Sequence, residues 1–247
     1  MKISIITVVY NGEATIRDCI RSVLGQDFCN KEYIIIDGAS KDGTMRVVSE
    51  FSGQVQVIRS EPDAGIYDAM NKGIALATGE VIGILNADDM YAGDQVLSKV
   101  AASLDGPGYE GCYSDLVYVD AATGQKVTRK WIAGSYRPES FLWGWMPPHP
   151  TLFLRKEVYE QYGSFRLDMG SAADYELMLR MLYKHTVKTK YIPETLVKMR
   201  AGGVSNLSLA NRLKANQNDR RAWEVNGLKP LPFTLLLKPL RKIHQFF

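Results

Sequence analysis

Along the first ninety residues, apolar positions follow two alternating periods. Four short runs, ISIITVV (3–9), YIIID (33–37), VQVI (55–58) and VIGILN (81–86), are rich in β-branched residues and apolar on both faces, as strands of a helix-covered parallel sheet are. Between them the spacing becomes helical. Ile16, Cys19, Ile20, Val23 and Leu24 form one stripe, and Ile66, Ala69, Met70, Ile74 and Ala77 form another that stops at Gly79. Strands alternating with helices predict a doubly wound α/β layer, in which the ligand crevice opens beyond the carboxyl ends of the strands. The polar residues gather at those ends: YNGE, DGASKDGT, SEPDAGIYD and NADD follow the four runs in turn, each with a carboxylate.

From Tyr109 the pattern is less regular. Strands are expected in GCYSDLVYVD and KVTRKWI, then an aromatic and proline-rich loop, ESFLWGWMPPHPTLF. A helix over 173–184, a strand in TVKTKYI, a polar MRAGGVSN and a last amphipathic helix near 206–225, through Leu209, Leu213 and Trp223, complete the chain. With no internal repeat and no clear linker, the sequence reads as one domain over 1–205 with a basic, amphipathic C-terminal extension over 206–247.

The 247 residues are 46% hydrophobic, enough for one large core. No apolar run reaches the roughly 18–20 residues of a spanning helix, and MKISIITVVYN is too short and wrongly flanked for a signal peptide, so a cytoplasmic location is expected. Cys19, Cys29 and Cys112 are odd in number and lack metal-ligand spacing, which points to reduced thiols. Charge is unevenly placed: residues 1–197 hold 20 Lys/Arg against 25 Asp/Glu, whereas residues 198–247 hold 10 against 2. The tail thus invites an anionic partner.

Asp88 and Asp89 stand side by side after the fourth apolar run. Two readings are open: a solvated turn or helix cap, or a pair whose repulsion is relieved by a divalent cation. Their place at a strand end favours the second, because Mg²⁺ and Mn²⁺ are commonly held by one or two carboxylates together with substrate phosphates. Neither GxxxxGK[ST] nor GxGxxG occurs, which argues against P-loop nucleotidases and dinucleotide-dependent oxidoreductases.

Four ordered blocks, SIITVVYNGEATIRDCIRSVLGQ, IIIDGASKDGT, EPDAGIYDAMNKGIALATGEVIGILNADD and AADYELMLR, resemble inverting glycosyltransferase family 2 over residues 1–205. The resemblance implies a GT-A fold, a Rossmann-like mixed sheet flanked by helices, that binds a nucleotide-diphosphate sugar such as a UDP- or GDP-sugar. It implies that the first strand end, with Thr7, Val9, Tyr10 and Asn11, lines the nucleotide pocket and that Asp37 contacts the base. Gly38 stands where the family usually has a second Asp. Gly65, Asp68, Asn71 and Gly73 match the family block on the sugar-nucleotide side. NADD matches its DxD element, so Asp88 would serve nucleotide and metal and Asp89 the metal, Mn²⁺ or Mg²⁺.

Asp174 occupies the position of the general base at the start of a helix, although Ala173 replaces the usual preceding Glu; helix capping is the plainer role. Glu176, two positions on, should face elsewhere. Trp143 and Trp145 are candidates for an acceptor sugar and His149 for the metal or phosphates, against a simple packed aromatic loop. Arg200 and Ser205 fall in a segment resembling one that closes over the diphosphate, against a plain loop before the last helix.

The acid-free tail LKPLPFTLLLKPLRKIHQFF reads either as a membrane-surface contact, suited to a lipid-linked acceptor at the inner face of the cell membrane, or as a segment packed on the domain or on another subunit. No nucleic-acid-binding module accompanies its charge. The sequence therefore predicts a metal-dependent, inverting hexosyltransferase acting on a glycan or lipid-linked acceptor in surface-polysaccharide synthesis. A sugar nucleotidyltransferase and an inactive nucleotide-sugar-binding protein are the alternatives.

Overall fold

A computed structural model describes residues 1–202 and 209–241, with the side chains of 209–215 and 239 outside that description. The elements run β1 (Ile3–Val9), α1 (Ile16–Leu24), β2 (Lys31–Asp37), α2 (Thr44–Ser49), β3 (Val57–Ser60), α3 (Ile66–Leu76), β4 (Val81–Ile84), β5 (Asp89–Tyr91), α4 (Val96–Ser103), β6 (Gly111–Val119) and β7 (Val127–Trp131). They continue with β8 (Phe153–Arg155), α5 (Lys156–Tyr162), α6 (Ala173–Met178), β9 (Thr189–Arg200), α7 (Leu209–Val225) and α8 (Thr234–Arg241). Short 3-10 turns occupy Pro138–Trp143, His149–Thr151 and Leu167–Ala172, and α6 winds on as a π-helix over Leu179–Lys184.

Nine strands among the described residues form one sheet in the order β3-β2-β1-β4-β8-β6-β9-β5, with β7 paired to β6. The first four are parallel, as predicted; β1, β2 and β4 are buried on both faces, whereas β3, at the edge, ends in the exposed Arg59 and Ser60. β1 is buried throughout, and its alternation divides the core: Ile6 and Val8 face the layer that contains α3, while Ile3, Ile5 and Val9 face the one that contains α1. β4 then pairs antiparallel with β8, β8 antiparallel with β6, and β6 parallel with β9. The sheet is mixed, and its second half breaks the repeating strand-helix pattern.

Two local expectations shift. The third strand starts at Val57, two residues later than the apolar run, with Val55 buried ahead of it. Ile66 begins α3 but is 48% exposed; the buried stripe is Ala69, Met70, Gly73 and Ile74. Gly73 is needed there, because a Cβ would stand 2.3 Å from Ile6 Cγ2, so the glycine lets the helix lie directly on β1.

The C-terminal extension joins the same core. Trp223 of α7 is wholly buried and donates from its indole to the Tyr175 hydroxyl at 3.0 Å, and Leu235 of α8 belongs to the same apolar cluster. Leu209 and Leu213, the other members of its predicted stripe, have side chains outside the described residues. No helix among the described residues is long and apolar enough to cross a membrane.

Candidate functional site

The Asn86–Asp89 turn closes β4 and starts β5, with the Asp89 N–H donating to the Asn86 carbonyl at 3.0 Å. Because Asp89 already pairs in register with Met199 of β9, its side chain is carried inside and is fully buried, whereas Asp88 is half-buried at the rim. Asn86 donates to Asp89 Oδ2 at 3.4 Å, but Asp89 Oδ1 and Asn86 Oδ1 are buried without a hydrogen-bond partner. Burial, then the Asp88 charge, push the Asp89 carboxyl well above its usual range. Burial also raises Asp88, with Arg200 opposing the shift.

Orphaned buried acceptors beside two crowded carboxylates form a strained arrangement that a cation would relieve. The donors are all oxygens, which suits Mg²⁺ or Mn²⁺. Among the described residues no group of three His, Cys, Asp or Glu side chains forms a complete cage, so oxygens from a bound substrate would have to finish the coordination.

At the next strand ends, Asp37 is buried and already satisfied. Its Oδ2 accepts from the Ser40 N–H at 3.0 Å and the Ser60 hydroxyl at 2.6 Å, and its Oδ1 accepts from the Ser40 hydroxyl, which ties the end of β2 to that of β3. Asn11, at φ 51°, accepts from the Lys41 N–H at 2.9 Å. Gly38 is explained by Asp63: a Cβ at position 38 would stand 2.5 Å from Asp63 Oδ2 and 3.4 Å from the Tyr10 ring. The carboxylate beside this rim thus arrives from the loop after β3. Asp63 was not legible as a site residue from the sequence, although it lies in one of the strand-end blocks.

Of the four first-strand candidates, Tyr10 and Asn11 face outward, Tyr10 at 60% exposure. Thr7 and Val9 are buried, and Thr7 accepts from the Tyr33 hydroxyl at 3.0 Å inside the core. β1 is covered on both faces as far as Val9, so the side chains of Thr7 and Val9 pack in the core.

The α3 block holds position. Gly65 takes φ 113° at the helix start, and Asp68 accepts from the Ala64 N–H at 3.0 Å and pairs with Lys72 at 3.5 Å. Asn71 engages the backbone of Phe165 with both ends of its amide, at 2.9 Å each. Phe165 in turn stacks on Tyr67, ring centroids 5.4 Å apart, and meets the His149 ring edge-on at 5.6 Å.

Tyr67 and His149 both lie close enough to Asp174 to feel its charge. Asp174 opens α6, is half-buried, and accepts from the Tyr175 N–H at 2.7 Å. Burial, and then the Asp174 carboxylate, raise the Tyr67 phenol; burial lowers the His149 imidazole against the pull of Asp174. Near neutral pH Asp174 therefore has a protonated phenol and an uncharged imidazole beside it. Tyr67 went unnoticed in the sequence, where it stands outside the apolar stripe of its helix and is not among the residues that match the family block. Glu176 is fully buried and held by Arg180 at 2.9 Å.

The remaining candidates lie elsewhere. Trp145 is a core residue that donates to the Ala133 carbonyl at 2.7 Å and stacks on Tyr136. Trp143 is half-exposed but leans on Phe233 of the C-terminal extension, ring centroids 5.4 Å apart. Arg200 ends β9 as a buried strand residue, paired with Asp18 at 2.6 Å and bonded to the Ala121 carbonyl at 3.1 Å. Its charge acts on Asp88 and Asp89 from this fixed place. Ser205 lies outside the described residues.

Comparison with known proteins bears on this arrangement. The family description "Glycosyl transferase family 2" matches residues 4–166. An uncharacterized glycosyltransferase of Mycobacterium tuberculosis is 34% identical over 186 residues, covering 72% of this chain and 68% of the relative. A PGL/p-HBAD biosynthesis glycosyltransferase of Mycobacterium bovis is 30% identical over 207 residues, covering 82% and 78%. Among solved structures, S. aureus TarS 1-349 in complex with UDP-GlcNAc superposes with a TM-score of 0.68 at 16% identity, covering 91% of this chain and 71% of TarS 1-349. The mannosyltransferase PcManGT of Pyrobaculum calidifontis, in complex with GDP-Man and Mn²⁺, gives 0.68 at 18% identity, covering 98% and 70%. The chain belongs to glycosyl transferase family 2 and has the GT-A fold.

Proposed function

We propose that this glycosyltransferase is metal-dependent and inverting, and that it moves a hexosyl group from a UDP- or GDP-sugar to a hydroxyl of a glycan or lipid-linked acceptor in surface-polysaccharide or glycolipid synthesis, at the cytoplasmic face of the membrane. The observation that carries this reading is the pair of orphaned buried oxygens, Asn86 Oδ1 and Asp89 Oδ1, behind the half-buried Asp88. Asp88 and Asp89, with Asn86 beside them, would hold the cation. A bound Mn²⁺ or Mg²⁺ supplies stabilisation of the negative charge that develops on the departing diphosphate. The donors named in the complexes of the two solved relatives support a nucleotide-sugar substrate here.

Asp174 is assigned as general base. It takes the proton of the acceptor hydroxyl as that oxygen bonds to the anomeric carbon; the bond from that carbon to the diphosphate oxygen breaks, and its electron pair leaves with the diphosphate. One displacement of this kind inverts the anomeric configuration. The Tyr175 N–H fixes the carboxylate, and the neutral His149 and Tyr67 beside it do not neutralise its charge. Tyr10, Asn11 and Asp63 form the rim on which the nucleotide would rest, while Asp37, Gly65, Asp68 and Asn71 hold the elements that shape it.

The test is a panel of UDP- and GDP-sugars with Mn²⁺ or Mg²⁺, read by thermal stabilisation and donor hydrolysis, on wild type, Asp88→Asn and Asp174→Asn. One donor should stabilise wild type only with metal, Asp88→Asn should lose that stabilisation, and Asp174→Asn should keep it while losing turnover by about 10²–10⁴-fold. Donor stabilisation equal in the presence of metal and of chelator would refute the metal reading. Full turnover by Asp174→Asn would refute the base.

A further inference from the structure

The C-terminal helix α8 is amphipathic in the reverse sense from a core helix. Its inner side is firmly held: Thr234 is buried and donates to the Leu142 carbonyl at 2.6 Å, Leu235 is buried, and Lys238 reaches Asp219 at 2.7 Å with its ammonium 3.5 Å from the centre of the Tyr175 ring. Gly144 allows this contact, since a Cβ there would stand 2.5 Å from the Lys238 backbone nitrogen. The outer side is apolar and open. Phe233, just before the helix, with Leu236 and Leu240 recurs at helical spacing and is 40%, 62% and 54% exposed. Trp143, 50% exposed, stands against Phe233, and a shallow groove of about 310 Å³ runs between Trp143, Leu237, Leu240 and Arg241.

The tail segment that carries this stripe has charge of one sign. Residues 225–247 contain Lys229, Lys238, Arg241 and Lys242 and no Asp or Glu. Lys238 is turned inward, but Lys229 and Arg241 are exposed, and neither forms an ion pair with another described residue. We propose that the stripe Phe233–Leu236–Leu240, together with Trp143 and Arg241, is a docking surface for an anionic lipid bilayer. Apolar side chains on a fixed short helix, a tryptophan among them and cations at the margin, are what interfacial binding requires. Each basic residue near an anionic surface adds to the attraction, which salt screens. A second copy of the chain fits less well: the four large side chains expose on the order of 400 Å², about half of what each partner contributes to a standard dimer, and the like charges of two copies would meet.

The surface also bears on the site. Lys238 and Trp223 both grip Tyr175, the residue after Asp174, so α7 and α8 fix the face relative to the helix that carries the assigned base. A docked bilayer would therefore be held in a fixed position relative to α6.

The full chain should be floated with vesicles of phosphatidylcholine alone and with about one-third phosphatidylglycerol, as wild type, Leu236→Glu/Leu240→Glu and Arg241→Glu. Wild type should bind the anionic vesicles, release at high salt, and bind neutral ones weakly. The double variant should lose binding by at least about tenfold, and Arg241→Glu by less, while both retain the wild-type melting temperature and donor hydrolysis. The proposal is overturned if wild type stays unbound with anionic vesicles, or if the double variant floats as well as wild type. It is also overturned if light scattering finds a dimer that the double variant abolishes, since the stripe would then be a contact between copies. None of these readouts depends on the donor or on the metal.

Discussion

Two acids two residues apart, Asp174 and Glu176, compete for the role of base, and the structure separates them by what each would cost to remove. Glu176 is buried and accepts from Arg180 Nε at 2.9 Å, Arg180 Nη2 at 3.1 Å and Asn226 Nδ2 at 3.1 Å. Taking one partner from a buried ion pair costs about 3–5 kcal/mol. In Glu176→Gln, however, Arg180 keeps the carbonyls of Tyr162, Gly163 and Ser164, and the new amide retains one acceptor oxygen. The loss should therefore fall at or just below the bottom of that range, at about 2–3 kcal/mol. For a chain of this size that is a fall in melting temperature of roughly 4–12 °C. Asp174→Asn sacrifices only a half-buried charge at a helix start, about 0.5 kcal/mol, and should melt within a few degrees of wild type. Scanning calorimetry and donor turnover on both variants form the assay. Glu176→Gln should be less stable yet active at a temperature where it is folded; Asp174→Asn should be stable and inactive. The reasoning is refuted if Glu176→Gln melts like wild type but has lost turnover.

Other outcomes follow from individual contacts. Gly73→Ala should cost about 1–3 kcal/mol by urea titration, because its Cβ would be driven into Ile6 Cγ2. Burial alone would raise the Glu32 carboxyl, but hydrogen bonds from Ser4, Thr78 and Lys2 outweigh it and bring the pKa down to about 2. Since the folded value lies below the unfolded one, this stability is complete above about pH 5 and is lost as pH falls toward 2. The full difference is roughly 3 kcal/mol, of which about 2 kcal/mol is lost between pH 6 and pH 3, and that part should be missing from the change in the urea midpoint of Glu32→Gln over this interval. Cys19 and Cys112 are fully buried, with burial pushing each thiol up to about 12, while Cys29 is exposed. A thiol reagent should accordingly modify one cysteine in the native protein and three after denaturation.

How far the sequence could be read varied from residue to residue. The ends of β1 and β4 were visible because a fully covered parallel strand writes an unbroken apolar run, and its termination marks the crevice. Thr7 and Val9 were placed at that crevice by resemblance, but β1 is covered on both faces as far as Val9, and the chain first opens to solvent at Tyr10. Trp145 looked like a sugar platform because an aromatic loop has no periodicity to give its phase; its indole is instead used on the Ala133 carbonyl.

What the sequence determined by itself was everything written in local period and local order: the parallel half of the sheet, the helices that cover it, the acids at its strand ends and the family to which their order belongs. What only tertiary structure decided were pairings between distant segments. Asn71 reaches Phe165 across 94 positions, and through it sets Tyr67 and His149 beside Asp174. Gly38 leaves space that Asp63 occupies from another strand end, and β9, pairing with β5, draws Asp89 inside and leaves Asp88 at the rim. The physical reason is the same in each case. A side chain's burial and charge state are set by the neighbours that folding brings to it, and residues far apart in the chain leave no periodic trace of those neighbours.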